Sequence, residues 1–194
     1  MGKGKIKVIK AKEDGTVLKD KEVKQKVLID TCVLFPGTVR RLFIRLSELN
    51  AIVPYWSDGI FDEWKRVCSR DSKEHVHQII EWLDNRFPES RISGYDKHIN
   101  KIRLYDKFDR HIVAAAIQGN IPLLITFNTK DFPFGRLKEH GIERMHADLF
   151  SLKILKEKPE IALLLAKELD LERLKKAWMP HSAALLEKLL QEEN

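Results

Sequence analysis

Four acidic residues carry the strongest chemical signal in this sequence: Asp30, Glu63, Asp109 and Asp131. Asp30 directly ends the apolar run Val27-Leu28-Ile29. In an open parallel sheet that is the carboxyl edge, where ligands gather. Glu63 lies three residues after Ile60 and four before Val67, so a helix there sets it at the edge of the apolar stripe. Asp109 stands four residues before Val113 and seven before Ala116, on the inward side of a helix near its start. Asp131 follows the apolar run 121–127 after Asn128-Thr129-Lys130.

Carboxylates converging in this way repel, and burying even one without compensation is costly. A divalent cation relieves both penalties. Mg²⁺ and Mn²⁺ are hard ions that take oxygen ligands and keep waters and phosphate oxygens in their shell. Such a centre suits phosphodiester hydrolysis, because the metal lowers the pKa of a bound water and stabilises charge on the leaving oxygen. Taken singly, each acid has an ordinary reading. Asp30 and Asp131 can form turns, Glu63 can be a helix-surface acid, and Asp109 can pair with Lys107 or Arg110. Only the ordered set points to a metal.

The elements that must position these acids follow from the hydrophobic pattern. Short apolar runs alternate with helical periodicity from residue 27 onward, the pattern of an α/β domain on a largely parallel sheet. Strands are expected at 27–29, 51–54 and 121–127, with a weaker one at 142–145. Val39, Leu42, Phe43, Leu46 and Leu49 mark one amphipathic helix. A second carries Ile60, Phe61, Trp64, Val67 and Cys68 behind a Ser57 or Asp58 cap, and a third carries Val76, Ile79, Ile80, Leu83 and Phe87. Asp106 is read as the cap of a helix through Ile112, Val113, Ala116 and Ile117, ended by Gly119. Residues 89–105 are read as an irregular or short-strand connection. Beyond Asp148 only helices are expected, at 148–157, 160–169, 171–178 and 181–191.

Three regions follow: a basic arm at 1–26, an α/β domain at 27–147 and a helical extension at 148–194. The net charge is +6. Nine lysines and four acids lie in residues 1–26, so the arm holds five of those six charges. The body is nearly neutral, and net charge says little about what it binds. Glu13-Asp14-Gly15 between alternating stretches is a hairpin signal within the arm. With 43% apolar residues the chain has the composition of a globular protein rather than a disordered one. No apolar run approaches the roughly 18 residues a membrane span needs. Two cysteines, Cys32 and Cys68, are too few for a disulfide framework, which makes a reducing cytoplasm the expected setting.

The stretch from Val27 to Leu34 (VLIDTCVL), with Trp56-Ser57, Glu63 and Arg66, Asp106, Asp109-Arg110-His111-Ile112-Val113-Ala114-Ala115-Ala116 and Thr126-Phe127-Asn128-Thr129-Lys130-Asp131-Phe132, resembles the PIN-domain ribonucleases, and among them the VapC-like toxins of toxin-antitoxin pairs. The resemblance spans roughly residues 27–147. It implies a PIN-like α/β/α sandwich with a mostly parallel central sheet, and the terminal helices look like the helical extension of one PIN subgroup. It further implies that Asp30, Glu63, Asp109 and Asp131 hold Mg²⁺ or Mn²⁺, with Thr31 and Asn128 supporting the site and Asp106 as an additional member. The activity implied is that of a metal-dependent endoribonuclease acting on RNA, held in check by an antitoxin, with a homodimer expected from the family. Arg66, Arg110 and Lys130 are candidate RNA contacts. The Lys-rich arm is extra to this family, and its role does not follow from the resemblance.

Competing chemistries fit less well. A phosphatase of the haloacid dehalogenase kind needs a second Asp two residues after the first, where this chain has Cys32. His75 and His77 point to different sides of a helix, so with Cys32 and Cys68 they lack zinc-site spacing; the cysteines read as core and the histidines as surface. No nucleophile elbow occurs. The surviving alternative is a non-catalytic or housekeeping RNA-binding PIN protein whose basic arm supplies affinity by contacting phosphates.

Overall fold

The computed structural model describes residues 24–68 and 72–193. In chain order the elements are β1 (Gln25–Ile29), α1 (Thr31–Leu34), α2 (Gly37–Glu48), β2 (Ile52–Ser57), α3 (Asp58–Val67), α4 (Lys73–Arg86), β3 (Arg91–Ile92), α5 (Asp96–Ile99), α6 (Arg110–Gln118), β4 (Leu123–Thr126), α7 (Phe134–Lys138), β5 (Glu143–His146), α8 (Ala147–Glu157), α9 (Pro159–Glu168), α10 (Leu171–Lys176) and α11 (Pro180–Glu193). The five strands form one sheet in the order β3-β2-β1-β4-β5. Every pairing is parallel, so the sheet is wholly rather than mostly so. With helices flanking it, the architecture is an α/β/α sandwich.

This order explains why the strands read as solid apolar runs. A parallel sheet covered on both faces buries successive side chains alike. Val27, Leu28 and Ile29 are at most 1% exposed, and all four residues of β4 are buried. The chain steps from β1 outward to β2 and β3, then returns to the other side of β1 to lay down β4. The reversal between β1 and β4 is the topological switch point, and a crevice opens there at the strand carboxyl ends. The backbone N–H of Asp30 donates to the Ile125 carbonyl across this seam at 3.0 Å.

Helix α2 buries the expected stripe of Val39, Leu42, Phe43 and Leu46. It stops where Asn50 adopts φ 58°, a left-handed turn that Asn tolerates better than most residues. Ser57 caps α3 by accepting from the Ile60 N–H at 3.3 Å. The expected start of α6 is corrected and its expected end is met. Asp106 does not cap α6, which begins four residues later at Arg110; instead Asp106 Oδ1 accepts from the Phe108 N–H at 2.7 Å in a tight turn. Gly119 ends α6 as expected, standing at its C-cap, and the left-handed residue of the turn is Asn120 at φ 49°.

The helical extension packs on the domain itself. The Phe150 ring stacks on Phe43 at 6.2 Å between centroids, and Arg45 of α2 grips both carboxylate oxygens of Glu168 at 2.7 and 2.8 Å. Within the extension, Asp148 accepts from the backbone N–H groups of His181 and Ser182 at 2.9 and 2.8 Å, closing the start of α11. Gln25 and Lys26, assigned to the arm by their charge pattern, belong to β1. The hairpin expected around Asp14-Gly15 lies outside the described residues. Among the described residues no helix is long and apolar enough to cross a membrane.

Candidate active site

Asp30 leaves β1 in extended conformation and turns at once into α1. That geometry puts its carboxylate at the mouth of the switch-point crevice, only 5% exposed. Two side chains hold it. The Thr126 hydroxyl, from the end of β4, donates to Asp30 Oδ2 at 2.6 Å, and the Cys32 thiol donates to the same oxygen at 3.1 Å. Burial raises the Asp30 pKa, these donors oppose the rise, and Glu63 adds to it. Cys32, read from the sequence as a core residue, is half-buried at the site, and its thiol is pushed up to about 12 by burial and then by Asp30. It is a fixed, neutral donor.

Glu63 reaches the same edge from α3. The Thr31 hydroxyl donates to its Oε2 at 2.9 Å, and the His111 ring lies 3.7 Å from that oxygen. His111 and Thr31 together outweigh burial and hold Glu63 below the usual carboxylate range, with Arg66 contributing at longer range. Close approach governs this corner. A side chain on Gly59 would sit 2.6 Å from both His111 Nδ1 and the Tyr95 hydroxyl, so any larger residue there would displace one of these side chains.

Asp109 occupies the N-cap position of α6 but makes no capping bond. Its carboxyl is therefore available to the crevice. Burial raises its pKa, and Asp106, Asp30, Asp131 and Glu63 each raise it further, to about 7. Electrostatically, then, the five acids form one cluster. Asp131 is held by the Asn128 amide, which donates to its Oδ2, while the Asn128 backbone N–H donates to Thr126 Oγ1 at 2.9 Å. Thr126 thus links the first acid to the loop that carries the last.

Among the described residues, no group of three or more His, Cys, Asp or Glu side chains is drawn tightly enough together to form a finished metal cage. The donor set is nevertheless suited to a hard cation. It is made of oxygen ligands, and its members raise the pKa of Asp109 by mutual repulsion, which is the condition a divalent ion would relieve.

The candidate RNA contacts divide. Arg66 and Lys130 are exposed. Arg110 is half-buried and turns back to the Leu104 carbonyl at 3.3 Å, with its Nε buried and unpartnered among the described residues. Three neighbours of the acids lie within the motifs of the resemblance but were given no site role from the sequence: Thr126, Cys32 and His111. A signal existed for Thr126, the one polar residue in the apolar strand Leu123–Thr126.

A twisted parallel sheet with acids at its β1–β4 switch point defines a class of α/β domain. The PIN domain family profile matches residues 26–130, more than half of the chain, and the chain belongs to that family. It is also 37% identical over 59 residues to a Mycobacterium tuberculosis (strain ATCC 25618 / H37Rv) protein named "Putative ribonuclease VapC50". That match covers 30% of this chain and 34% of the relative, so the chain spans about a third of the length of the protein it matches. No solved structure gives a significant match.

Proposed function

We propose that this protein is a metal-dependent endoribonuclease, the toxin of a toxin-antitoxin pair, that acts in the cytoplasm on RNA. The observation that supports it most is the convergence of acids at the strand carboxyl ends: Asp30 held by Thr126, Glu63 held by Thr31 and Asp131 held by Asn128, which with Asp106 add to the burial that raises Asp109. An arrangement of oxygen donors that destabilises its own ionised form is suited to holding Mg²⁺ or Mn²⁺ through Asp30, Glu63, Asp109 and Asp131. When bound, such an ion generates a hydroxide-like nucleophile and neutralises charge on the leaving oxygen.

The protein's own groups do the positioning. Thr126 and Cys32 hold Asp30, Thr31 and His111 hold Glu63, and Asn128 holds Asp131. Asp109 makes no capping bond and feels the charge of the other acids. Arg66 and Lys130, both exposed, are the cations assigned to phosphate contact in this reading. An antitoxin is the partner expected for such a toxin, and a homodimer is its expected assembly.

Purified protein incubated with RNA should cut it when Mg²⁺ or Mn²⁺ is present and stop when a chelator is added. Cleavage that continues at full rate under chelation would contradict the metal reading. Expressed alone the protein should arrest growth, and co-expression with a cognate antitoxin should relieve that arrest; absence of any growth arrest would contradict the toxin reading.

A further inference from the structure

Residues 101–108 lead directly into the acidic cluster and are built unlike an ordinary connection. Ile102 and Leu104 are anchored in the core at 3% and 5% exposure. Alternation with them turns Lys101, Arg103 and Tyr105 outward, and all three are exposed. The turn that follows, fixed by Asp106 Oδ1 on the Phe108 N–H, sets Lys107 and Phe108 outward as well. Tyr105 is fully exposed and Phe108 is 80% exposed. No salt bridge engages Lys101, Arg103 or Lys107 among the described residues. Several other surface cations are paired, Arg45 with Glu168 and Glu48, Arg91 with Asp58 and Asp84, Lys175 with Glu172 and Glu187; what sets this segment apart is that its cations alternate with two exposed rings.

Two bare aromatic faces interleaved with three uncommitted cations are the chemistry that grips a single nucleic-acid strand. The cations track phosphates, and the rings accept unpaired bases whatever their sequence. A duplex offers no free base faces, and an acidic peptide would use the cations but has no need of the rings.

We propose that residues 101–108 form a strand-binding edge in which Tyr105 and Phe108 stack unpaired bases while Lys101, Arg103 and Lys107 hold the adjoining phosphates, feeding the strand toward Asp109. For its direction, though not for its binding chemistry, the proposal rests on the nuclease reading. It assigns substrate selection to a segment that supplies no member of the acidic quartet.

Binding is read by fluorescence anisotropy of a labelled single-stranded RNA of about 12 nucleotides, within the usual span of such sites, in chelator so that no cleavage intervenes. The doubly substituted Tyr105→Ala/Phe108→Ala protein should bind about tenfold more weakly or worse, with its salt dependence unchanged. Tyr105→Trp, which keeps a ring, should bind at least as well as the natural chain. Arg103→Ala/Lys107→Ala should flatten the plot of log K against log salt by about 1.4, at roughly 0.7 per lost phosphate contact to a single strand. The natural protein should prefer the single strand to a duplex of equal length.

Unchanged binding by the Tyr105→Ala/Phe108→Ala variant, or equal affinity for the duplex, overturns the proposal and leaves the patch to a protein partner. The cleavage assay fails separately. If the natural protein binds through these residues yet never cuts RNA, the strand-binding edge stands and the nuclease reading falls.

Discussion

The Thr126 hydroxyl donates to Asp30 Oδ2 at 2.6 Å across the seam where β1 and β4 pair. The same oxygen of Thr126 accepts the Asn128 N–H, so one side chain ties the first acid of the cluster to the loop bearing Asp131. Replacing Thr126 by Val keeps the volume but removes the shortest side-chain donor to buried Asp30, leaving the Cys32 thiol and the Thr31 backbone N–H. Supporting residues of this kind are worth on the order of 10- to 100-fold in metal affinity or activity. Thr126→Val should lose that much RNA cleavage while keeping its circular dichroism spectrum, and Thr126→Ser should recover most of it. Full activity in the valine variant would show that this hydroxyl does not position Asp30.

The acidic positions were legible in the sequence because each is tied to a local pattern: a strand end for Asp30, a stripe edge for Glu63, a short loop after an apolar run for Asp131. What was hidden depends on which strands become neighbours. Thr126 meets Asp30 only because the chain reverses at β1–β4, and nothing local to residue 126 announces that pairing. Asp106 misled for a different reason. Its side chain satisfies the Phe108 N–H two residues on, a local turn that competes with helix capping, and α6 starts only at Arg110. Short elements such as β3, two residues long, carry too few side chains to show a period.

The extension and the domain share one core. Phe150 is fully buried against Phe43, and removing such a ring creates a cavity worth roughly 3–5 kcal/mol. Phe150→Ala should lower stability by about that amount in a single cooperative denaturant transition. Two separated transitions would instead mean that α8–α11 fold as an independent unit.

Arg45 and Glu168 join α2 to α9 through two parallel bonds, with both side chains about a quarter exposed. Solvent screening limits the coupling to about 1 kcal/mol. A double-mutant cycle with Arg45→Ala and Glu168→Gln, followed by urea denaturation, should return that value and shrink in high salt.

Asp148 supplies a pH signature. Burial acts to raise its pKa, but hydrogen bonding at Ser182 and His181 wins and holds it below the ordinary carboxylate value. A carboxyl depressed on folding stabilises the native state above its unfolded pKa, near 3.9, and that contribution is lost as pH falls through the lower folded value. Asp148→Asn should therefore destabilise the protein clearly at pH 7, and the deficit should shrink progressively as pH falls below the unfolded value near 3.9, measured by denaturation across that range. An equal deficit throughout the range would assign the effect to lost shape rather than lost charge.

In the proposed function Asp30, Glu63, Asp109 and Asp131 act together on a divalent ion. The most direct test is RNA cleavage by the natural protein and by Asp30→Asn across a Mn²⁺ titration. The natural chain should show a saturable, chelator-reversible dependence on the ion, and the near-isosteric variant should stay folded and cut at least a hundredfold more slowly at every concentration, the order of loss expected when a group acting in the transition state is removed. Cleavage by Asp30→Asn with the natural rate and metal dependence would contradict that proposal.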